Sequence, residues 1–274
     1  MRDNLEYIKN LLPEFNVKYF DEIDSTNNYA KNLIRENNNL SSNKILIIAD
    51  KQTAGRGRTG HSFISPSGTG VYLTLIIEPV KNFQLVTIAA AVSVCLALEK
   101  FIDLNNKAAK LKWVNDIFIC DKVTRSSKKV CGLLAEAVTD RGNKISKIIV
   151  GIGVNIWPYK FEDLNLASAG SVFDEVNNNN NKITRAEIAA EIVKNLAGFA
   201  EDLDSPEVIN NYKSRIIFNT AFHSGNISYI YNSQKFFGRV IDIDNSGGLV
   251  IKDLNNNLIT LRSGEVFEIR ENNY

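Results

Sequence analysis

Two hydrophobic rhythms run along the chain. Short runs with a period near two, or apolar throughout, predict strands, and longer runs with a period near 3.6 predict helices. "ILIIA" reads as a short buried strand, and "GVYLTLII", rich in β-branched residues, as a second. "AKLKWVNDIFIC" alternates lysines with apolar residues around an Asn-Asp turn, and "VCGLLAEAV" is expected to pair with it as a hairpin arm. "ISKIIVGIGVNI" is a further strand, in which Gly151 and Gly153 strip side chains from one face and let a backbone or ligand come close.

The helical rhythm appears in three places. In "STNNYAKNLI", Ser25 or Thr26 caps a helix whose stripe is Tyr29, Ala30, Leu33 and Ile34. A buried helix is predicted around residues 87–101; its core, "LVTIAAAVSVCLAL", is too short to span a bilayer. Thr184 and Glu187 form a capping box ahead of Ile188, Ile192, Leu196 and Phe199, just after an asparagine-rich loop at 177–181. From about Phe222 short strands alternate with turns, which predicts a small all-β module of SH3-like size. No internal repeat is present. The expected fold is α+β: a mixed sheet with flanking helices over 1–220 and the small module over 221–274.

Composition narrows the function classes. The 274 residues are 44% hydrophobic with a formal net charge of +1, ordinary for a globular protein and without a global field for nucleic acid or anionic membrane. Cationic chemistry must therefore come from local clusters. The three cysteines lack metal-like spacing and sit among apolar residues. They predict buried free thiols in a reducing compartment, and a cytoplasmic location is expected. "MRDNLEYIKNLLPEF" has no long apolar stretch of the secretory type, so no signal peptide is expected.

After the first strand comes G-R-G-R-T-G, Gly55 to Gly60, a literal match to the dinucleotide-binding glycine pattern. That fingerprint needs a helix immediately afterwards to receive a pyrophosphate. Here Pro66, Gly68 and Gly70 break any helix and a strand follows, so the Rossmann reading fails. Without G-K-[ST] it is not a Walker loop either. What remains is a long strand-to-strand loop presenting Arg56 and Arg58, whose planar forks suit phosphate or carboxylate. A solvated surface loop or an RNA contact are the plain alternatives, although aromatic interleaving is missing. Ser25-Thr26-Asn27, Gln52, Lys112, Asn115, Asp116 and Lys129 are each unremarkable alone. Together they gather hydrogen-bonding and cationic groups at several strand ends, which suggests a site for an anionic ligand with a polar head.

At this point a family resemblance emerges. "DSTN", "ADKQTAGRGRTGHSFISPSGTGVYLTL", "LKWVNDIFI", "KKVCGLLAE" and "IIVGIGVNI", in that order, resemble the biotin–protein ligases over most of the chain. The resemblance implies a class II synthetase-like catalytic domain followed by an SH3-like C-terminal domain. It also implies a two-step reaction: biotin carboxylate attacks the α-phosphate of MgATP to give biotinyl-5′-AMP and pyrophosphate. A lysine of a biotin carboxyl carrier protein, as in acetyl-CoA carboxylase, then displaces AMP. Biotin and ATP are substrates, Mg2+ accompanies ATP, and no resident metal site is expected. Both first-step reactants are anions, so fixed cations must screen them. One such contact at 4 Å and an effective dielectric of 20 is about 4 kcal/mol before desolvation.

Carried over position by position, Ser25, Thr26, Asn27 and Gln52 match the biotin-head contacts, with Gly55, Phe63 and Gly132 in the same pocket. Arg56, Gly57 and Arg58 match the loop that covers biotin and adenylate, and Lys129 the lysine that meets the carboxylate and then the phosphate. Lys129 is chosen over Lys128 by its spacing to Gly132. Lys112, Asn115 and Asp116 match the K-W-P-N-D motif, Asn155 the nucleotide side, and Arg270 a contact to adenine from the small domain. The catalytic charges would be Lys129, Arg58 and Lys112. The glycines are read as giving the loop mobility, so that it orders over the ligand and excludes water.

The chain departs from the pattern at Val114, where the family has proline and which predicts a less rigid turn, and at Phe63, in place of tryptophan. "DKVTRSSKKV" is longer than the usual hairpin turn. Too few residues precede Ser25 for a helix-turn-helix domain, so a monofunctional ligase without nucleic-acid or membrane partners is expected. A homodimer is permitted. Alternatives are a lipoate or octanoate ligase or transferase of the same superfamily, and a non-catalytic biotin-binding sensor.

Overall fold

The computed structural model describes residues 5–37, 40, 44–140, 143–161, 168–174, 183–231 and 233–263, together with the backbone of 266–271 and, at Thr59, the backbone alone. The asparagine-rich loop at 177–181 and the side chain of Arg270 lie outside the described residues.

The larger sheet has seven strands in the order β1-β2-β3-β7-β6-β5-β4. They are β1 (Asn16–Ile23), β2 (Ile45–Gln52), β3 (Gly70–Ile77), β4 (Lys107–Lys112), β5 (Asp116–Asp121), β6 (Ser127–Thr139) and β7 (Ile145–Asn155). Only β1 and β2 are parallel; every other pair is antiparallel. The mixed α+β class expected from the sequence is therefore what forms.

Strand alternation sorts the two faces. Leu46, Ile48, Leu73, Leu75, Val150, Ile152 and Val154 point into the main core. That core also takes α3 (Phe83–Glu99), α4 (Arg185–Glu201), α1 (Leu5–Leu11) and α5 (Pro206–Arg215). On the other face Ile45, Ile47, Ile76, Val138 and Ile149 form a smaller cluster with Ala30 and Ile34 of α2 (Thr26–Glu36).

Helix α3 is apolar nearly all round and buried on every side, with twelve buried residues, as its sequence requires. It begins at Phe83 rather than Thr87, because Leu85 and Val86 are drawn into the core by packing rather than by a cap; Asn82 makes no side-chain capping bond. The capping box of Thr184 and Glu187 starts α4 as expected. In α4, Gly198 has open space around its Cα. Gly198→Ala is expected to stabilise the fold by about 0.5–1 kcal/mol, through backbone entropy alone; a thermal melt that does not rise would contradict this. Helices α1 and α5 and the edge strand β1 were not foreseen. Ser205 and Pro206, cap and first-turn proline of α5, were the available signal.

The C-terminal residues form a second, antiparallel sheet in the order β11-β10-β9-β8-β12. Its strands are β8 (Asn226–Tyr231), β9 (Gln234–Ile243), β10 (Leu249–Asp253), β11 (Leu258–Leu261) and β12 (Val266–Glu271). Among the described residues β11 and β12 do not pair with each other, so the sheet is open. Trp113 Nε1 donates to Gly247 O at 2.8 Å and so ties this sheet to the larger one. No helix among the described residues is long and apolar enough to cross a membrane.

Candidate functional site

The site lies on the α2 face of the large sheet, where the apolar cluster gives way to small and polar residues. Gly132 of β6 and Gly151 and Gly153 of β7 remove side chains from this face, and the N-terminus of α2 sits over it. The contacts are close. A Cβ on Gly151 would stand 2.2 Å from Asn27 Oδ1, and one on Gly153 would stand 2.6 Å from the Phe63 ring. The expectation that these strand glycines admit a close neighbour holds.

Over the glycine floor stand Ser25, Thr26 and Asn27, all buried. Ser25, not Thr26, is the N-cap of α2 and accepts from Asn28 N. Gln52 Oε1 accepts from Thr26 N at 2.9 Å and from Thr26 Oγ1 at 3.1 Å, while Gln52 Nε2 donates to Ser65 Oγ at 2.9 Å. Thr74 Oγ1 donates to Asn27 Oδ1 at 2.6 Å and lies 2.8 Å from Thr26 Oγ1. Asn27 Nδ2 in turn donates to Glu136 Oε2 at 3.1 Å and to Leu134 O at 3.4 Å. Both N–H groups of the Asn27 amide and one lone pair of its oxygen are thus engaged by the protein. Thr74, Ser65 and Glu136 were not picked out from the sequence. Strand parity was the available signal, since Glu136 shares a face with Gly132.

The loop from β2 to β3 is a folded excursion with its own pairing. Phe63 N donates to Gly55 O at 2.9 Å and Gly57 N to His61 O at 2.7 Å, and a single 3-10 turn spans Arg58–Gly60. Gly55 is required by crowding, because a Cβ there would meet Phe63 O at 2.3 Å. At this position close backbone approach, rather than mobility alone, explains the glycine. No helix follows the loop, in keeping with the rejection of a dinucleotide fold.

Arg56 Nη1 donates to Asn28 Oδ1 at 3.2 Å, and its Nη2 lies 3.5 Å from Glu136 Oε1. Arg58 points the other way. Its Nη1 donates to Asn115 Oδ1 at 3.1 Å and its Nη2 to Ser263 O at 2.7 Å, so the loop touches the C-terminal part of the chain. Burial lowers the Arg58 pKa and the Asp116 carboxylate partly offsets this; an arginine remains charged at neutral pH all the same.

A β-bulge decides the direction of Lys129. Ile117 pairs with Cys131 but Phe118 pairs with Lys129, which leaves Val130 as an extra residue. Val130 and Cys131 therefore both enter the main core, and Lys129 comes to the same face as Gly132. Its Cε is 4.0 Å from the Cβ position of Gly132, and its Nζ makes a contact ion pair with Asp116 Oδ1 at 2.7 Å. Lys128 is exposed, with its stem against Gly170. The geometry thus separates two neighbours that spacing alone could barely rank.

Lys112 is half-buried at the end of β4, opposite Asp116. The turn between them is Trp113 to Asn115, and Asp116 already belongs to β5, one residue away from the expected Asn-Asp turn. The Trp113–Val114 peptide is cis. Val114 is buried and Tyr212 Oη donates to its carbonyl. Asn155 Nδ2 donates to Gly170 O at 3.1 Å, and Lys129 N donates to Ser168 O, so segment 168–170 is pinned beside the site.

Asp116, Lys129, Arg58 and Asn115 thus form one charged cluster, and Ser25, Thr26, Asn27 and Gln52 one uncharged polar cluster. Phe63 lies on the glycine floor between the loop and β7. The free space left there is about 20 Å³, room for roughly one water. Among the described residues no three histidine, cysteine or acidic side chains group as metal ligands. The three cysteines are free and buried, and burial raises the Cys95 and Cys131 pKa values and that of Cys120 to about 11, which leaves them inert thiols.

Comparisons with known proteins bear on the family and the fold. The chain resembles the bifunctional ligase/repressor BirA of Bacillus subtilis, 34% identical over 141 residues, which are 50% of this chain and 39% of that protein. The chain therefore spans well under half of that relative in the match. It is 28% identical to the Escherichia coli protein of the same name over 273 residues, 96% of this chain and 79% of that one. The solved biotin protein ligase of Aquifex aeolicus in complex with biotin and ATP superposes with a TM-score of 0.73 at 24% identity, covering 94% of this chain and 99% of that one, which shows a shared fold. Residues 226–267 match the model described as the biotin protein ligase C terminal domain. Residues 19–155, half of the chain and every strand that lines the site, match the biotin/lipoate A/B protein ligase family, and to that family the chain belongs.

Proposed function

We propose that the chain activates biotin with MgATP to biotinyl-5′-AMP and transfers the biotinyl group to a lysine of a biotin carboxyl carrier protein. The observation that carries this reading is the cluster of the buried Ser25 and Thr26 hydroxyls with the half-buried Gln52 amide beside the glycine floor. The family includes ligands with a cyclic urea and ligands with a dithiolane. A urea presents N–H donors and a carbonyl acceptor, which the Ser25 hydroxyl, the Thr26 oxygen and the second Gln52 N–H can meet. A dithiolane would leave those buried groups unpaired, at about 1–3 kcal/mol each. The solved structure that this fold resembles, a biotin protein ligase in complex with biotin and ATP, supports the same choice.

In this reading the polar cluster orients the ring and excludes water from it. Lys129 screens the carboxylate as it attacks phosphorus and then the phosphate of the new mixed acyl-phosphate anhydride. Arg58 and Lys112 hold phosphate charge. The attacking oxygen gains the bond to phosphorus and the electron pair leaves on pyrophosphate. In the second step the acceptor amine attacks the biotinyl carbonyl and AMP departs. The Phe63 ring fills the space over Gly132 and Gly153, so in this reading Phe63 and the 53–64 stretch that carries it make room for the ring and close again over it. Asn155 is assigned to the nucleotide side and Arg270 to adenine. We read residues 1–220 as the catalytic domain and 221–274 as an SH3-like domain that helps to seat the loop through the Arg58–Ser263 bond.

Incubation with MgATP, labelled biotin and a carrier domain tests the reading. Label on the acceptor lysine, with labelled lipoate giving none, is the expected result. An acceptor that a second ligase can label but this protein cannot would overturn it. Arg58→Gly removes both bonds to Asn115 and Ser263 and is expected to release adenylate about tenfold faster or more. Adenylate retained as long as in the wild type, measured by filter binding, would refute the clamp.

A further inference from the structure

Glu136 lies on β6 four residues beyond Gly132, past the residues to which the resemblance assigns roles, yet it touches three of the site's supports. Its Oε2 accepts from Asn27 Nδ2 at 3.1 Å. Its Oε1 pairs with Lys31 Nζ at 2.6 Å and lies 3.5 Å from Arg56 Nη2. Its side chain is only 20% exposed. We propose that Glu136 is a positioning residue whose carboxylate sets the orientation of the Asn27 amide and tethers the Arg56 end of the loop above the ring pocket.

The reasoning starts from donor and acceptor polarity. A carboxylate accepts and cannot donate, so the side of the Asn27 amide that faces Glu136 is its NH2 group. Asn27 Oδ1 must then face Thr74, and the single Thr74 proton is committed to it. Thr26 Oγ1, 2.8 Å from Thr74 Oγ1 and 3.1 Å from Gln52 Oε1, therefore receives no proton from Thr74 and turns its own toward these two acceptors. The lone pairs of Thr26 Oγ1 and the second N–H of Gln52 are left for a ligand. The backbone N–H of Thr26 also holds Gln52 Oε1, so the orientation set at Glu136 passes through Asn27 and Thr74 to Thr26, which fixes the Gln52 amide. The same carboxylate reaches the loop through Arg56. Ring recognition and loop closure thus share one anchor, and Lys31 holds that anchor in place through the 2.6 Å ion pair.

A glutamine in place of Glu136 can offer either an acceptor or a donor. It would allow Asn27 to flip and would remove the charge that attracts Arg56. The inference rests on the biotin-activating reading above, and the test separates the two. Glu136→Gln, Glu136→Asp and the wild type are compared by calorimetry with biotin alone, by the KM for biotin against the KM for ATP in pyrophosphate release, and by thermal melting. For Glu136→Gln the expected result is a biotin Kd and KM raised about tenfold or more, with the KM for ATP and the melting temperature little changed and partial recovery in Glu136→Asp. Biotin affinity equal to the wild type overturns the role. So does a lowered melting temperature with an unaltered biotin Kd, which is what a purely structural residue would give. Failure of the wild type itself to bind biotin would instead remove the functional reading on which the inference stands.

Discussion

Lys129→Ala is expected to slow biotin-dependent pyrophosphate release by about 100- to 1,000-fold, the scale for deleting one fixed group aimed at charge that develops in a transition state. The fold should survive the change. The Lys129–Asp116 pair is partly open to solvent, at 35% and 25% exposure, and pairs of that kind contribute about 0–1 kcal/mol. Lys128→Ala is the natural control, because that side chain runs along Gly170 outside the bulge-directed face. Both variants would be measured by coupled pyrophosphate release at saturating biotin and ATP. Equal rates for Lys129→Ala and the wild type would remove the assigned role. A large loss in Lys128→Ala with none in Lys129→Ala would exchange the two residues and contradict the bulge geometry.

Gly151→Ala is the second change with a large expected effect. Its Cβ would stand 2.2 Å from Asn27 Oδ1, 2.8 Å from its Cγ and 2.9 Å from its Nδ2. Asn27 cannot retreat without giving up Thr74 on one side and Glu136 and Leu134 on the other. Losing those bonds in a buried setting costs about 1–3 kcal/mol each, and overpacking a strand in mid-sheet costs about 1–3 kcal/mol of stability. Biotin affinity should fall about 100-fold, and the melting temperature should drop, since these costs are a large part of the about 5–15 kcal/mol that holds a domain folded. Adding Asn27→Ala should relieve the clash and raise the melting temperature without restoring biotin binding. A single variant that binds biotin like the wild type would show that the Asn27 orientation does not matter to the pocket.

The two variants also mark where sequence reasoning succeeded and where it stopped. Gly151 was legible because a glycine at alternate strand positions strips one face whatever the rest of the fold does. Lys129 was legible as a residue type and a spacing, but its direction was not. In a regular strand Lys129 would share a face with Cys131 and Leu133 and point into the core; Val130 as an extra residue reverses this. The helix start at Phe83 and the Asp116 strand start were missed by a few residues, because in both places tertiary packing overrides a weak local signal.

The sequence by itself determined the local elements of this protein and the kinds of chemistry it holds. Periodicity set the strands β2, β3 and β7, side-chain oxygens set the starts of α2 and α4, and the arginines between glycines marked the loop. Only the tertiary structure decided which of these meet. The order β1-β2-β3-β7-β6-β5-β4 sets Thr74, Gly132, Gly151 and Glu136 under the first turn of α2, although they come from three strands spread over more than sixty residues. The bond from Arg58 to Ser263 joins positions 205 residues apart. Such neighbours follow from strand register and from the burial of two opposite sheet faces, which are long-range packing choices and leave no trace in any local window of the chain.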